Sequence, residues 1–200
     1  MKHLWVFIFA LLIFGCQKKD APKGSSEFNL DGFVTEKIDG TSFMNATRTN
    51  AAGILTDEGI LKNGKQHGPW KAYEPNRGYM ESITYFNDGE QMGPVLKFDS
   101  RGSVIEEASY LDGELHGKTV KYRYGLKIAE RNYKMGLPHG KQYDFYDNGK
   151  IMQIAEFKDG VQDGLFEYYT FEGEKQMSYQ YKNGKKIAGG LVDESKKGKK

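Results

Sequence analysis

Apolar and polar residues alternate along most of this chain in runs of roughly eight residues, separated by short polar turns. Alternation with a period of two is typical of β-strands, because successive side chains point to opposite faces of a sheet. Val120 with Tyr122, and Tyr143 with Phe145, are same-face pairs of this kind. Most of the turns are Asn-Gly or Asp-Gly pairs, which favour two-residue β-hairpins in which both residues have positive φ. The pattern therefore predicts antiparallel strands joined by tight hairpins.

The turns recur with a spacing of 23 to 25 residues, which identifies the chain as a repeat array. In the first five clear units a second glycine follows the turn glycine by four residues, and a third follows by twelve to fourteen. An aromatic residue lies nine residues after the turn glycine, and another lies three residues before the next turn glycine. We expect the second glycine to mark a β-bulge or a close backbone approach. Met135 replaces the usual Asn or Asp in its turn, so a different turn type is possible there. The predicted structural turn glycines are Gly64, Gly89, Gly113, Gly136, Gly160 and Gly184.

The same register extends backwards to Gly40, with Gly53 in the position of the third glycine and Leu61 in that of an aromatic. Residues 28–63 are therefore interpreted as an N-terminal strand, Phe28 to Ile38, followed by a degenerate capping repeat. Residues 64–189 hold five repeats and a terminal half repeat, and residues 190–200 form a basic, disordered tail. The predicted fold is all-β: an elongated antiparallel β-hairpin array of ten or more strands.

The N-terminal segment has the pattern of a targeting signal rather than of a folded element. Residues 1–15 combine a short basic start with a twelve-residue apolar run, which is too short to span a membrane. The run ends at Cys16, the single cysteine of the chain, and its context resembles the bacterial lipobox. This predicts an exported protein anchored to the membrane by lipid on Cys16, with residues 16–27 as a flexible tether. The outer membrane or the cell surface is favoured over the inner membrane. An ordinary signal peptide with an unrelated cysteine is the alternative.

Charge and motifs argue against several classes of function. A formal net charge of +2 does not favour a nucleic-acid partner. His67, His116 and His139 occupy one column of the repeat, so neighbouring copies lie two strands apart, about 9–10 Å. That separation is too large for two of them to share a metal ion, because a Zn–N bond is about 2 Å. No paired carboxylates or nucleophile motifs stand out, so we predict no catalytic residues, no metal site and no cofactor.

Three stretches carry a family resemblance: G-K-Q-H-G-P-W-K-A-Y at 64–73, G-E-L-H-G-K-T-V-K-Y at 113–122, and G-L-P-H-G-K-Q-Y-D-F at 136–145. They resemble MORN repeats in the bacterial variant of that motif. The resemblance implies a β-hairpin array that binds something along its length.

The expected function is that of a non-catalytic binding or scaffolding module of the bacterial cell envelope, with a partner protein on the β-repeat surface. A glycan- or peptidoglycan-binding lipoprotein is the alternative, and an antitoxin-like protein is a distant one. Oligomeric state is left open. Exposed aromatic residues suit either a protein or a sugar partner. The candidate contact residues are Trp70, Tyr73, Tyr122, Tyr143, Tyr168 and Tyr169.

Overall fold

The computed structural model describes residues 28–192, which form one open antiparallel sheet of 16 strands; no part of that range is helical. Fourteen strands follow one another across the sheet, while β8 and β11 are short pieces that pair with β7 and β10. The predicted all-β hairpin array is confirmed. The strands are β1 (Phe33–Lys37), β2 (Phe43–Thr49), β3 (Leu55–Lys62), β4 (Lys65–Tyr73), β5 (Met80–Asn87), β6 (Glu90–Phe98), β7 (Val104–Leu111), β8 (Glu114–Leu115), β9 (Gly117–Arg123), β10 (Leu126–Lys134), β11 (Leu137–Pro138), β12 (Gly140–Phe145), β13 (Ile151–Lys158), β14 (Val161–Tyr169), β15 (Lys175–Lys182) and β16 (Lys185–Leu191).

The tight turns line one edge of the sheet and share a single conformation. In all six, the residue before the glycine has φ between 47° and 51°, and the glycine has φ between 75° and 90°. Positive φ at both central residues is what a type I′ hairpin turn requires. Met135, at φ 48°, adopts the same conformation as the Asn and Asp residues of the other turns. Its turn is therefore of the common type, although a methionine has no local preference for it.

A bulge follows each of the first five tight turns at the second glycine, as predicted, whereas the shift in β16 involves one extra residue and no second glycine. In the first complete unit Glu58 pairs with Lys71 while Ile60 pairs with His67, so Gly59 alone faces three residues of β4. The glycine of that bulge, Gly68, has φ 71°, which glycine adopts without a steric penalty. The bulge displaces the following residues of the strand and sets which of their side chains become buried.

Seven of the nine buried residues in the described range belong to a row that crosses the sheet and begins six residues after each turn glycine. In successive units they pair with residues of the following strand: Ala46 with Gly59, Trp70 with Thr84, Val95 with Ala108, Thr119 with Arg131, Gln142 with Ala155, and Phe166 with Tyr179. We call this set the inner row. The first residues of the first five pairs, Ala46, Trp70, Val95, Thr119 and Gln142, are all buried, although the sheet has a single layer.

The best-packed region lies at the N-terminal end of the array. Ala46, Leu61 and Trp70 are buried together, and Phe28 and Phe33 pack against them. The rings of Phe28 and Phe33 lie 4.9 Å and 5.9 Å from that of Trp70. The first strand is shorter than the predicted segment from 28 to 38, because residues 28–32 lie against the sheet instead of extending it. At the other end, β16 continues into the region predicted as tail.

Apart from the two-residue turn Tyr124-Gly125, the opposite edge of the sheet carries wider loops, some of which bond to their neighbours. The Tyr146 hydroxyl donates to the carbonyl of Tyr169 at 2.7 Å, and Asn148 Nδ2 donates to the carbonyl of Phe171 at 2.8 Å. Consecutive repeats are therefore joined at this edge as well as through the strands. Within residues 28–192 there is no helix of the length and apolarity needed to cross a membrane. The predicted leader, Cys16, the whole tether and the lysine-rich end lie outside the described residues.

Candidate binding surface

Four of the six predicted contact residues lie on the same face of the sheet. Strand alternation and the bonds that Tyr73 and Lys71 both make to Glu58 define this face, which also carries Tyr122, Tyr143, Phe145 and Tyr169. We call it the tyrosine face. Trp70 and Tyr168 lie on the opposite face, since each is next in sequence to a residue of the tyrosine face. The sequence-based candidates are therefore not one surface.

Trp70 was predicted as a contact residue, but the structure places it in the core. Only 5% of its surface is exposed, and Phe28 and Phe33 cover its ring. Its Nε1 donates to the carbonyl of Ile60 at 3.0 Å, which satisfies a backbone group beside the bulge. An indole held in this way belongs to the core. The sequence offered no signal for this, because no local pattern shows that Phe28 and Phe33, far earlier in the chain, come to lie on the indole.

Each end of the tyrosine face carries a tyrosine, a carboxylate and a lysine in contact. Glu58 accepts hydrogen bonds from Lys71 Nζ and from the Tyr73 hydroxyl, both at 2.7 Å. These bonds, that from Lys71 first, lower the pKa of Glu58. Burial, followed by the bond to Glu58, raises the pKa of Tyr73 to about 12. Both groups thus keep their bonded protonation states at neutral pH.

The arrangement recurs at Tyr169, about 100 residues later in the chain. The Tyr169 hydroxyl donates to Glu167 at 2.7 Å, and Lys175 bonds the other oxygen of that carboxylate. Burial raises the pKa of Tyr169 to about 12, with Glu167 adding to the effect. Burial alone would raise the pKa of Glu167, but the bonds from Lys175 and Tyr169 outweigh it and lower the pKa. The two ends are therefore chemically alike.

The middle of the tyrosine face combines stacked rings with a lysine. Tyr143 and Phe145 stack with their centroids 6.2 Å apart, and Lys127 Nζ lies 5.5 Å above the Phe145 ring. Glu130 holds that lysine at 2.9 Å. Burial raises the pKa of Tyr122, with Glu107 contributing. The face is thus a series of half-buried rings fixed by ion pairs.

The histidine column joins neighbouring repeats. His139 Nδ1 lies 3.1 Å from Asp159 Oδ1, and His67 Nδ1 lies 3.4 Å from Asp88 Oδ1. Each aspartate is the first residue of the next tight turn, so His139 makes a hydrogen bond from turn to turn, whereas the longer contact of His67 leaves its Nδ1 without a hydrogen bond in the described part of the chain. His116 faces the turn of Met135, and among residues 28–192 its buried Nδ1 has no hydrogen-bond partner. In the same range no three His, Cys, Asp or Glu residues are grouped so that they could hold a metal ion.

Sequence reasoning missed the carboxylates and lysines that hold the rings. Glu167 and Tyr169 are two residues apart on one strand, so the same-face rule could have paired them. Glu58 reaches Tyr73 only across the bulge between β3 and β4, and no local pattern shows which residues that bulge brings together.

A family model described as the MORN repeat variant matches residues 138–159. The match covers β11 to β13 and the turn that follows, which is close to one unit of the array. MORN repeats are generally modules that bind proteins or membranes, which is consistent with a non-catalytic binding role. No curated protein matches the chain.

Proposed function

We propose that this chain is a non-catalytic binding module that presents its tyrosine face to a partner protein. The observation that carries the proposal is the concentration of Tyr73, Tyr122, Tyr143 and Tyr169 on one face, each half-buried. Tyrosine is enriched at protein interfaces because it offers a large rigid ring at little cost in conformational entropy. The ion pairs around these rings favour a single arrangement before any partner binds.

The size of the face supports a protein partner. From β4 to β14 there are eight strand-to-strand steps, which span about 38 Å at the usual strand spacing. Strands of six to nine residues give a width of about 20–30 Å. The product, roughly 800–1,100 Å², is similar to one side of a standard protein–protein interface.

We further propose that the module belongs to a bacterial envelope and is anchored by lipid on Cys16. The apolar run before Cys16 and the polar segment after it support this proposal. Replacing the cysteine, Cys16→Ser, should move the chain from the membrane pellet to the soluble fraction. If the variant stays in the pellet as the native chain does, lipid on Cys16 is not the anchor.

The binding proposal is tested by affinity capture from the envelope of cells that make the native chain. The bait is the full chain or a variant, and both protein and glycan are analysed. Tyr122→Ser and Tyr143→Ser remove rings from the tyrosine face, while Tyr124→Ser removes a loop tyrosine that is 84% exposed. We expect a stoichiometric protein that is lost with the first two variants and retained with Tyr124→Ser. Circular dichroism establishes that each variant is folded.

Two other outcomes would overturn the proposed partner. Recovery of glycan without an enriched protein, lost with the same variants, would assign the tyrosine face to sugar binding instead. A protein retained by Tyr122→Ser and Tyr143→Ser would place the binding surface elsewhere on the array.

A further inference from the structure

In the described part of the chain, the first and last strands of the sheet, β1 and β16, each have a neighbouring strand on one side only, and they carry unusually exposed apolar side chains. Within residues 28–192, β1 pairs only with β2, and β16 pairs only with β15. The three most exposed aliphatic side chains of this range all lie on these two strands: Val34 at 72%, Ile187 at 62% and Leu191 at 79%. Open strand edges are templates for pairing with another chain, and exposed apolar groups on them strengthen that tendency.

We propose that β16 of one copy pairs with β1 of the next, so that copies of this chain join head to tail into a continuous sheet. Strand polarity fits this arrangement. The path across the sheet contains an even number of strands, fourteen, all antiparallel, so β1 and β16 run in opposite directions. A copy added in continuation therefore presents its β1 antiparallel to β16, as every internal junction requires.

The inner row continues through the proposed junction. Thr35 of β1 pairs with Ala46, and Gly189 of β16 pairs with Tyr179, so both residues stand at inner-row positions. Placing Gly189 opposite Thr35 of the next copy sets the register. Leu191 then lies opposite Phe33 on the same face, so the most exposed leucine meets an aromatic ring.

The charges of the two ends are complementary. Residues 31–39, which hold β1 and its flanking turns, carry three carboxylates and one lysine: Asp31, Glu36 and Asp39 against Lys37. β16 carries Lys185 and Lys186 and no carboxylate, while the nearby Lys182 of β15 is already paired with Asp163. In the proposed register Lys185 lies opposite Asp39. Pairing of β16 with a second β16 would instead bring two basic strands together, which charge repulsion disfavours.

The proposal is tested with two blocked variants of the full chain, studied by sedimentation velocity in one detergent over a series of protein concentrations. Val34→Lys with Glu36→Lys makes β1 basic and removes its apolar side chain. Ile187→Lys with Leu191→Lys replaces the exposed apolar side chains of β16 by lysines, which blunt a strand edge, and the two blocked ends then repel each other. Leu126→Lys with Val161→Lys is the matched control, because these two residues are exposed but lie away from the terminal strands.

We expect the native chain and the control to gain mass with concentration, and to lose that gain at high salt because the junction is partly ionic. Each blocked variant alone should remain a single copy. An equimolar mixture of the two should form species of twice that mass and nothing larger, since only one junction can form. Association through the apolar N-terminal segment would be common to all variants and would not show this pattern.

Three results would overturn the proposal. The native chain could remain a single copy at every concentration. The β1-blocked variant could assemble by itself, which would indicate pairing of β16 with β16. The mixture of blocked variants could fail to form the two-copy species although each variant is folded by circular dichroism.

Discussion

Replacing Gly59 by alanine tests whether the packing of Trp70 determines the N-terminal end of the array. Gly59 has an ordinary negative φ, so its backbone does not require glycine. A Cβ at this position would lie 2.3 Å from Trp70 Cδ2 and 2.4 Å from Cε2. The indole ring cannot retreat freely, because Phe28 and Phe33 cover it. The change is therefore a steric insertion into a filled site.

The expected cost follows from two opposing contributions. Overpacking of a filled site costs about 1–3 kcal/mol. Replacing glycine by alanine restricts the unfolded chain and returns about 0.4–1 kcal/mol. Overpacking is the larger effect, so Gly59→Ala should lower the free energy of unfolding by roughly 1–2 kcal/mol. Gly190→Ala is the matched control, because no atom lies within 4 Å of a Cβ built there and φ is not positive. That variant should be neutral or slightly more stable.

A double-mutant cycle with Trp70→Val identifies the source of the cost. In the next unit the equivalent positions are held by Thr84 and Val95, so a valine accommodates a Cβ on the facing strand. Trp70→Val alone should cost about 3 kcal/mol as a large-to-small core change. Adding Gly59→Ala to it should cost little, which gives a coupling of about 1–2 kcal/mol. Urea unfolding followed by far-UV circular dichroism measures all four proteins. Strict additivity, or no effect of Gly59→Ala, would refute this account of the packing.

Two further predictions concern the tyrosine face and the bulges. Tyr73 has a pKa of about 12 in the folded chain against an ordinary value of 10.0, so its contribution to stability is complete below pH 10 and is lost between pH 10 and 12. Tyr73→Phe should therefore make the fall in the free energy of unfolding over that pH range shallower, and an unchanged slope in urea titrations would contradict the raised pKa of Tyr73. Gly117 has φ 88°, so Gly117→Val should destabilise the array by about 1–3 kcal/mol through backbone strain. An unchanged thermal transition would show that the bulge does not need glycine there.

The hairpins could be predicted from the sequence because their determinants are local. An Asn-Gly or Asp-Gly pair prefers positive φ by itself, so the turns at Asn63 and Asp88 needed no knowledge of the sheet. The period followed from the same pairs. Met135 shows the limit of this reasoning, since the array imposes on it the turn conformation that its neighbours prefer.

The inner row could not be predicted, because its buried members are side chains of different chemical types. Ala46, Trp70, Val95, Thr119 and Gln142 occupy equivalent positions, and no single residue type marks the column. The bulge selects which residue turns inward, and a bulge is visible only in the pairing of two strands. A search for recurring residue types therefore found the half-buried aromatic column and overlooked the buried inner row.

Met135 and His116 together define a weak point in the array that one substitution should repair. In two other units the first turn residue is an aspartate that faces the preceding histidine, at 3.1 Å from His139 and 3.4 Å from His67. Asparagine at position 135 tolerates the observed φ of 48°, and its amide can donate to or accept from His116 Nδ1. Removing the strain and satisfying a buried nitrogen should together raise the free energy of unfolding by about 1–2 kcal/mol.

The two contributions of Met135→Asn can be separated within the same chain. Asn63 occupies the equivalent turn position, but Phe43 stands where the preceding histidine would be. Asn63→Met should therefore cost only the conformational part, and Met135→Asn in a His116→Ala background should gain only that part. If Met135→Asn gains no more with His116 present than without it, the turn-to-turn bond contributes nothing to stability. The histidine column would then be a consequence of the repeat rather than a connection between its units.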